Sequence, residues 1–165
     1  MMTPLVLFLA GLLGASALHK LLARQRLVAV TARLAGVGPF GGGQLLALAA
    51  SIEGLAAVAL VVPGLGEGGL LAAVLLWLGY AAALWRHRGK VLDCGCDLVS
   101  RERPVDAIAI ARPLLLAALA LVLVLTGPIV LAWTPEVPFA ALALLALWFA
   151  AGELHSLPHL SRARS

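Results

Sequence analysis

The stretch AIAIARPLLLAALALVLVLTGPIVLAW, Ala107 to Trp133, holds a single charged residue, Arg112. An α-helix needs about 20 consecutive apolar residues to cross the hydrocarbon core of a bilayer, with a range of roughly 17–25. This run meets that length. Working outward, similar runs lie at Leu5 to Leu22, Leu45 to Val62, Gly69 to Trp85 and Phe139 to Gly152, the last spanning only if it continues to about Leu157. All are rich in Ala, Leu, Val and Gly with little period-2 alternation, which argues against a transmembrane β-barrel. The expected fold is an all-α, polytopic transmembrane helical bundle of four to five helices. It forms one domain over residues 1–165, with spans near 5–22, 45–62, 69–85, 107–133 and 139–157.

Composition points the same way. Of the 165 residues 62% are hydrophobic and 12% are charged, about half the charge of an ordinary soluble domain. Such a chain cannot coat a water-facing surface, so the lipid bilayer is its first partner. The formal net charge of +4 sits beside apolar spans with no interleaved aromatic platform, and no nucleic-acid partner is expected. No cofactor is expected either: Gly41-Gly42-Gly43 lacks the Gly-Lys-Ser/Thr of a phosphate loop and is expected to be a hinge or turn.

The connections alternate in charge. The first holds Lys20, Arg24, Arg26 and Arg33, then a Gly-Pro-rich stretch from Gly36 to Gly43 expected to be flexible. The third holds Arg86, Arg88, Lys90, Arg101 and Arg103, and the tail carries Arg162 and Arg164. The second (63–68) and fourth (134–138) have neither Lys nor Arg. Five spans with the basic loops inside predict a cytoplasmic C-terminus and an N-terminus outside. The first run also resembles a signal-peptide h-region with Ala15-Ser16-Ala17 as a cleavage site. Met1-Met2-Thr3-Pro4 lacks a positive charge, however, and the apolar run continues past Ala17, so a retained helix is the preferred reading.

Two cysteines are present, and one residue separates them: Cys94-Gly95-Cys96. An i to i+2 disulfide closes a small, strained ring, and strained disulfides exchange readily; Gly95 widens the backbone conformations open to it. One reading is therefore a dithiol that cycles between reduced and oxidised forms. The other is a pair of small apolar residues packed at a helix end. Arg101, Arg103, Arg112 and a helix N-terminus favour a thiolate, while the flanking Asp93 and Asp97 oppose it. Glu53 and Arg112 are ionisable residues inside apolar runs, and such residues usually face the bundle interior and mark function, though an arginine near a helix end can also snorkel. Counting spans puts His19, Glu53, Cys94, Cys96 and Arg112 toward one membrane face, which permits a single site. His87, His155 and His159 are expected to be interfacial, and Trp77, Trp85, Trp133 and Trp148 to form aromatic belts.

A helix ending in Leu18-His19-Lys20, Glu53 within the second helix, Asp93-Cys94-Gly95-Cys96 before the fourth, and Arg112 within it resemble the MauE family. These are methylamine utilisation membrane proteins related to DoxX-like small bundles. The resemblance covers about residues 5–125, and its most specific part is the Cys-Gly-Cys. It implies a bacterial inner-membrane, multi-pass protein that supports disulfide formation in a periplasmic partner, the methylamine dehydrogenase small subunit, alongside a thioredoxin-like protein, MauD. Carried over, Cys94 and Cys96 are the redox pair, with His19, Glu53 and Arg112 supporting them. Whether the chain is itself a thiol–disulfide oxidoreductase or an accessory redox protein is open at this point. So is its sidedness: loop charge puts the dithiol on the cytoplasmic face, whereas a secreted disulfide-rich substrate needs an outlet on the other. The alternative function is a soft-metal carrier of copper or mercury type that uses the Cys-Gly-Cys thiolates. A resident structural metal is not expected, since a closed all-thiolate zinc site takes four cysteines.

Overall fold

The computed structural model describes residues 2–89, 91–92, 103–127 and 131–162, with backbone alone for 91–92, 103–104 and 155–162. Cys94 and Cys96 lie outside the described residues. The protein is all-helical: α1 (Thr3–Leu22), α2 (Arg24–Ala35), α3 (Pro39–Val61), α4 (Gly66–Arg86), α5 (Ala107–Leu125) and α6 (Glu136–Arg162). Between α4 and α5 a two-residue antiparallel ladder pairs Val91 with Pro104 and Leu92 with Arg103. Five helices, α1 and α3–α6, are long and apolar enough to cross a membrane.

Burial is arranged for lipid rather than water. Leu22, Phe40, Leu75 and Leu125 are each more than two-thirds exposed on the outside. The interior mixes Leu9, Leu13, Leu60 and Leu70 with small residues such as Ala56, Ala73 and Ala120. Lipid tails are as apolar as leucine, so helices associate through close packing and interhelical hydrogen bonds, which small residues permit. α1 is part of this core through Val6, Leu9 and Leu13. A second, smaller cluster of Leu84, Val105 and Ile110 joins the end of α4 to the start of α5. There the Gly89 N–H donates to the Val105 carbonyl at 3.0 Å.

The first connection differs from the sequence expectation. It is not a flexible loop but the helix α2, which buries Leu27 and Ala32. Its arginines break the apolar run without breaking the helix, and Gly36 at φ 67° caps its end. Gly41-Gly42-Gly43 is not a hinge either; it forms the first turns of α3, which opens on Pro39. Proline fits the first helical position because its φ is already helical and its missing N–H has no helical partner there. A Cβ on Gly42 would sit 2.7 Å from the Val28 carbonyl oxygen and 2.7 Å from the Ala32 Cβ. Gly42 is what lets α2 fold back against α3.

Two other helix limits move. The apolar run that extends to Trp133 ends as a helix at Leu125. Thr126 turns its hydroxyl back to the Val122 and Leu123 carbonyls at 3.0 and 2.9 Å, and Gly127 takes a φ of 105°. The last helix is longer than the run suggests, beginning at Glu136 and continuing to Arg162. Helix directions are tied at one end of the bundle. Ala132 N–H donates to Thr3 Oγ1 at 3.1 Å, and Thr126 Oγ1 donates to Met2 at 3.7 Å. The start of α1, the end of α5 and the approach to α6 therefore lie together. The opposite end holds the end of α1, α2, the end of α4, the ladder and the start of α5.

Candidate functional site

Glu53 is 1% exposed in the middle of the bundle. An isolated charge in hydrocarbon carries a desolvation cost of several kcal/mol, so it persists only with partners. Here the partners come from two neighbouring helices. From α1, Lys20 Nζ donates to both carboxylate oxygens, at 2.7 Å to Oε1 and 2.9 Å to Oε2. Ser16 Oγ donates to Oε1 at 2.9 Å. From α4, the Tyr80 hydroxyl donates to Oε1 at 2.8 Å. Lys20 is itself 8% exposed; it also donates to Ser16 Oγ at 2.7 Å and lies 5.2 Å from the centre of the Tyr80 ring. Ser16 and Lys20 are four residues apart, so one face of α1 carries both.

Beside this network is a cavity of about 100 Å³. Ser16, Glu53, Tyr80 and Arg112 line it, together with Trp77 and Trp148. Arg112 comes from the first turns of α5, which Asp106 caps by accepting from the Ala109 N–H at 2.8 Å. The guanidinium reaches α6: Nη2 donates to the Trp148 carbonyl at 3.4 Å, and the group lies 5.0 Å from the centre of the Trp148 ring. A Cβ on Gly152 would approach it to 2.9 Å, so glycine there lets the cation lie against the α6 backbone. Phe8 of α1 meets the Trp148 ring edge-on, with centroids 6.1 Å apart.

Glu53 and Arg112 thus share one cavity. His19 does not line it. The histidine immediately precedes Lys20 on α1, and its Nε2 lies 3.5 Å from Arg26 Nη2 of α2. Glu53 lies beyond the midpoint of α3 because that helix begins at Pro39, well before the apolar run at Leu45. Sequence reasoning missed Lys20, Ser16, Tyr80 and Trp148. A signal for Lys20 existed: Val6, Leu9, Leu13, Ala17 and Lys20 are all buried on α1, and their three- and four-residue spacing marks a core-facing stripe. Cys94 and Cys96 fall between Leu92 and Arg103 in the sequence, outside the described residues. Among the described residues no three His, Cys, Asp or Glu side chains converge as a metal site would require.

Chemically, the arrangement offers a hydroxyl-bearing acid–base network and a permanent cation lining the same cavity. The first can hold or pass a proton; the second can stabilise an anion. A family model described as methylamine utilisation protein MauE matches residues 1–126, α1 through the end of α5. No curated protein matches the chain, and no solved structure does. With a bundle of five helices able to span a membrane and a match over three-quarters of its length, the chain is a multi-pass membrane protein that belongs to the MauE family of methylamine utilisation proteins.

Proposed function

We propose that this protein is a thiol–disulfide exchange component of the bacterial inner membrane that supports disulfide formation in periplasmic methylamine dehydrogenase. The observation that carries the reading is where both cysteines fall. In a chain of the MauE family, Cys94 and Cys96 lie in the segment whose two ends are joined by the Val91–Pro104 and Leu92–Arg103 pairs. That junction is at the same end of the bundle as the start of α5, which carries Arg112.

In the exchange, the thiolate of one cysteine attacks a disulfide of the thioredoxin-like partner. A mixed disulfide forms and one partner thiolate leaves. The second cysteine then attacks the mixed disulfide, so that Cys94–Cys96 becomes the disulfide and the partner gains two electrons and two protons. The reverse sequence delivers the disulfide to a substrate dithiol. Arg112 serves as the cation that favours a thiolate. Glu53 with Tyr80, and His19 at the end of α1, serve as the groups that take and return protons.

The test is a Cys94→Ser, Cys96→Ser variant, scored by the fraction of the dehydrogenase small subunit with its disulfides formed. We expect loss of maturation and of the trapped mixed disulfide. Maturation equal to wild type would overturn the proposal. Labelling both cysteines with a membrane-impermeant maleimide assigns the face. Reaction in intact cells fits direct exchange with a periplasmic substrate. Reaction only in inverted vesicles, which the loop charges predict, makes the pair an electron collector on the cytoplasmic side.

A further inference from the structure

A second concave site lies away from the cavity, at the end of the bundle that carries the basic segments. It is a groove of about 550 Å³ between the end of α2 and the end of α4, with Arg33 on one rim and Arg86 and His87 on the other. Its floor includes Gly79, Ala82 and Ala83. We propose that this groove binds an anionic phospholipid, its phosphate between Arg33 and Arg86 and an acyl chain along the small-residue face of α4.

Charge arithmetic supports an anion. Two helix C-termini converge here, each worth about −0.5 of an elementary charge, against two permanent arginine charges, so the groove remains positive by about one charge. Among the described residues the Arg33 and Arg86 guanidinium groups make no hydrogen bond or ion pair with another side chain. His87 adds a directed ring: Nδ1 is 3.0 Å from the Ala83 carbonyl, so this nitrogen carries the proton and Nε2 is left to face other groups. A free phosphate explains the arginines but not the floor. Gly79, Ala82 and Ala83 continue from the rim down a helix able to cross the membrane, and a Cβ at Gly79 would meet nothing within 4 Å. That leaves a strip of small residues on α4 in the same groove as the two arginines, open to an acyl chain. Basic pockets at the membrane edge bind lipid headgroups in this way.

The experiment uses the full chain in neutral detergent, titrated with phosphatidylglycerol, phosphatidylcholine or inorganic phosphate and read by native mass spectrometry. Wild type should retain phosphatidylglycerol over phosphatidylcholine. Arg33→Gln with Arg86→Gln should weaken phosphatidylglycerol binding by roughly thirty-fold, at the usual strength of two basic side chains near a membrane surface. Arg24→Gln with Arg88→Gln removes the same charge outside the groove and should change it less than about two-fold. Gly79→Leu fills the track without touching charge and should lower phosphatidylglycerol retention; it decides the matter alone if the arginine variant does not fold. Equal loss in both charge variants, displacement of the lipid by inorganic phosphate, or indifference to Gly79→Leu would each overturn the proposal.

Discussion

Glu53 and Arg112 line one cavity, yet the bundle treats them differently. Glu53 is enclosed by α1 and α4, which aim Lys20, Ser16 and Tyr80 at its two oxygens. Arg112 is half-buried and leans on α6, a helix only 11% buried over its spanning window, against 28–39% for the others. The carboxylate is thus fixed by the most crowded part of the molecule and the guanidinium by the least. A charge held from two helices by short hydrogen bonds is a fixed element of the fold. The Arg112 guanidinium, by contrast, rests on an aromatic face and makes a longer hydrogen bond to a backbone carbonyl, at 3.4 Å.

Breaking the Glu53 side of that comparison should have the largest effect. Lys20→Met leaves a carboxylate buried without its counter-charge and should destabilise the bundle by about 3–5 kcal/mol. Adding Glu53→Met should recover most of the loss, since a buried pair exchanged for apolar residues of similar size is often near neutral. Unfolding in mixed detergent micelles reads both; a single variant no worse than the double would show that the two charges are not coupled. Next, Tyr80→Phe removes one hydrogen bond to a charged oxygen that keeps two other donors, and should cost about 1.5 kcal/mol in the same assay. On the Arg112 side, a double-mutant cycle of Arg112→Met and Trp148→Leu should give a coupling near 1 kcal/mol. A coupling as large as the Lys20–Glu53 one would erase the distinction between the two charges. Smallest of all, Gly152→Ala should shift stability by under about 1 kcal/mol, because the guanidinium it meets is the far end of a flexible side chain; its signature is faster proteolysis of α6.

How much of this was legible in the sequence differs by residue. Four spanning helices follow from long apolar runs, and the fifth from a shorter run that had to extend to about Leu157 to span. α2 was not legible as a helix: Arg24, Arg26 and Arg33 dilute its apolar stripe of Leu27, Val28 and Ala32, and a basic connection between spans looks the same whether helical or not. The Gly-rich start of α3 misled for a related reason. Glycine disfavours an isolated helix by about 1 kcal/mol each, but Gly42 is needed where α2 packs so close that an added Cβ would lie 2.7 Å from its atoms, and only the tertiary contact reveals that need. Glu53 and Arg112 announced themselves as charges inside apolar runs. Lys20 did not, because at the end of a run a lysine reads as a loop charge. Tyr80 and Trp148 carry no local mark at all, since their partners lie 27 and 36 residues away in sequence.

The Lys20–Glu53 pair has one further consequence, in electrical terms. Transferring an elementary charge across a membrane held at 100 mV takes about 2.3 kcal/mol. Opposite charges 2.7 Å apart sum to zero at one depth, so the transmembrane voltage does no net work on this pair. A proton that arrived at Glu53 would end that neutrality, leaving Lys20 as a net charge within the field. Proton traffic through this network would therefore respond to voltage.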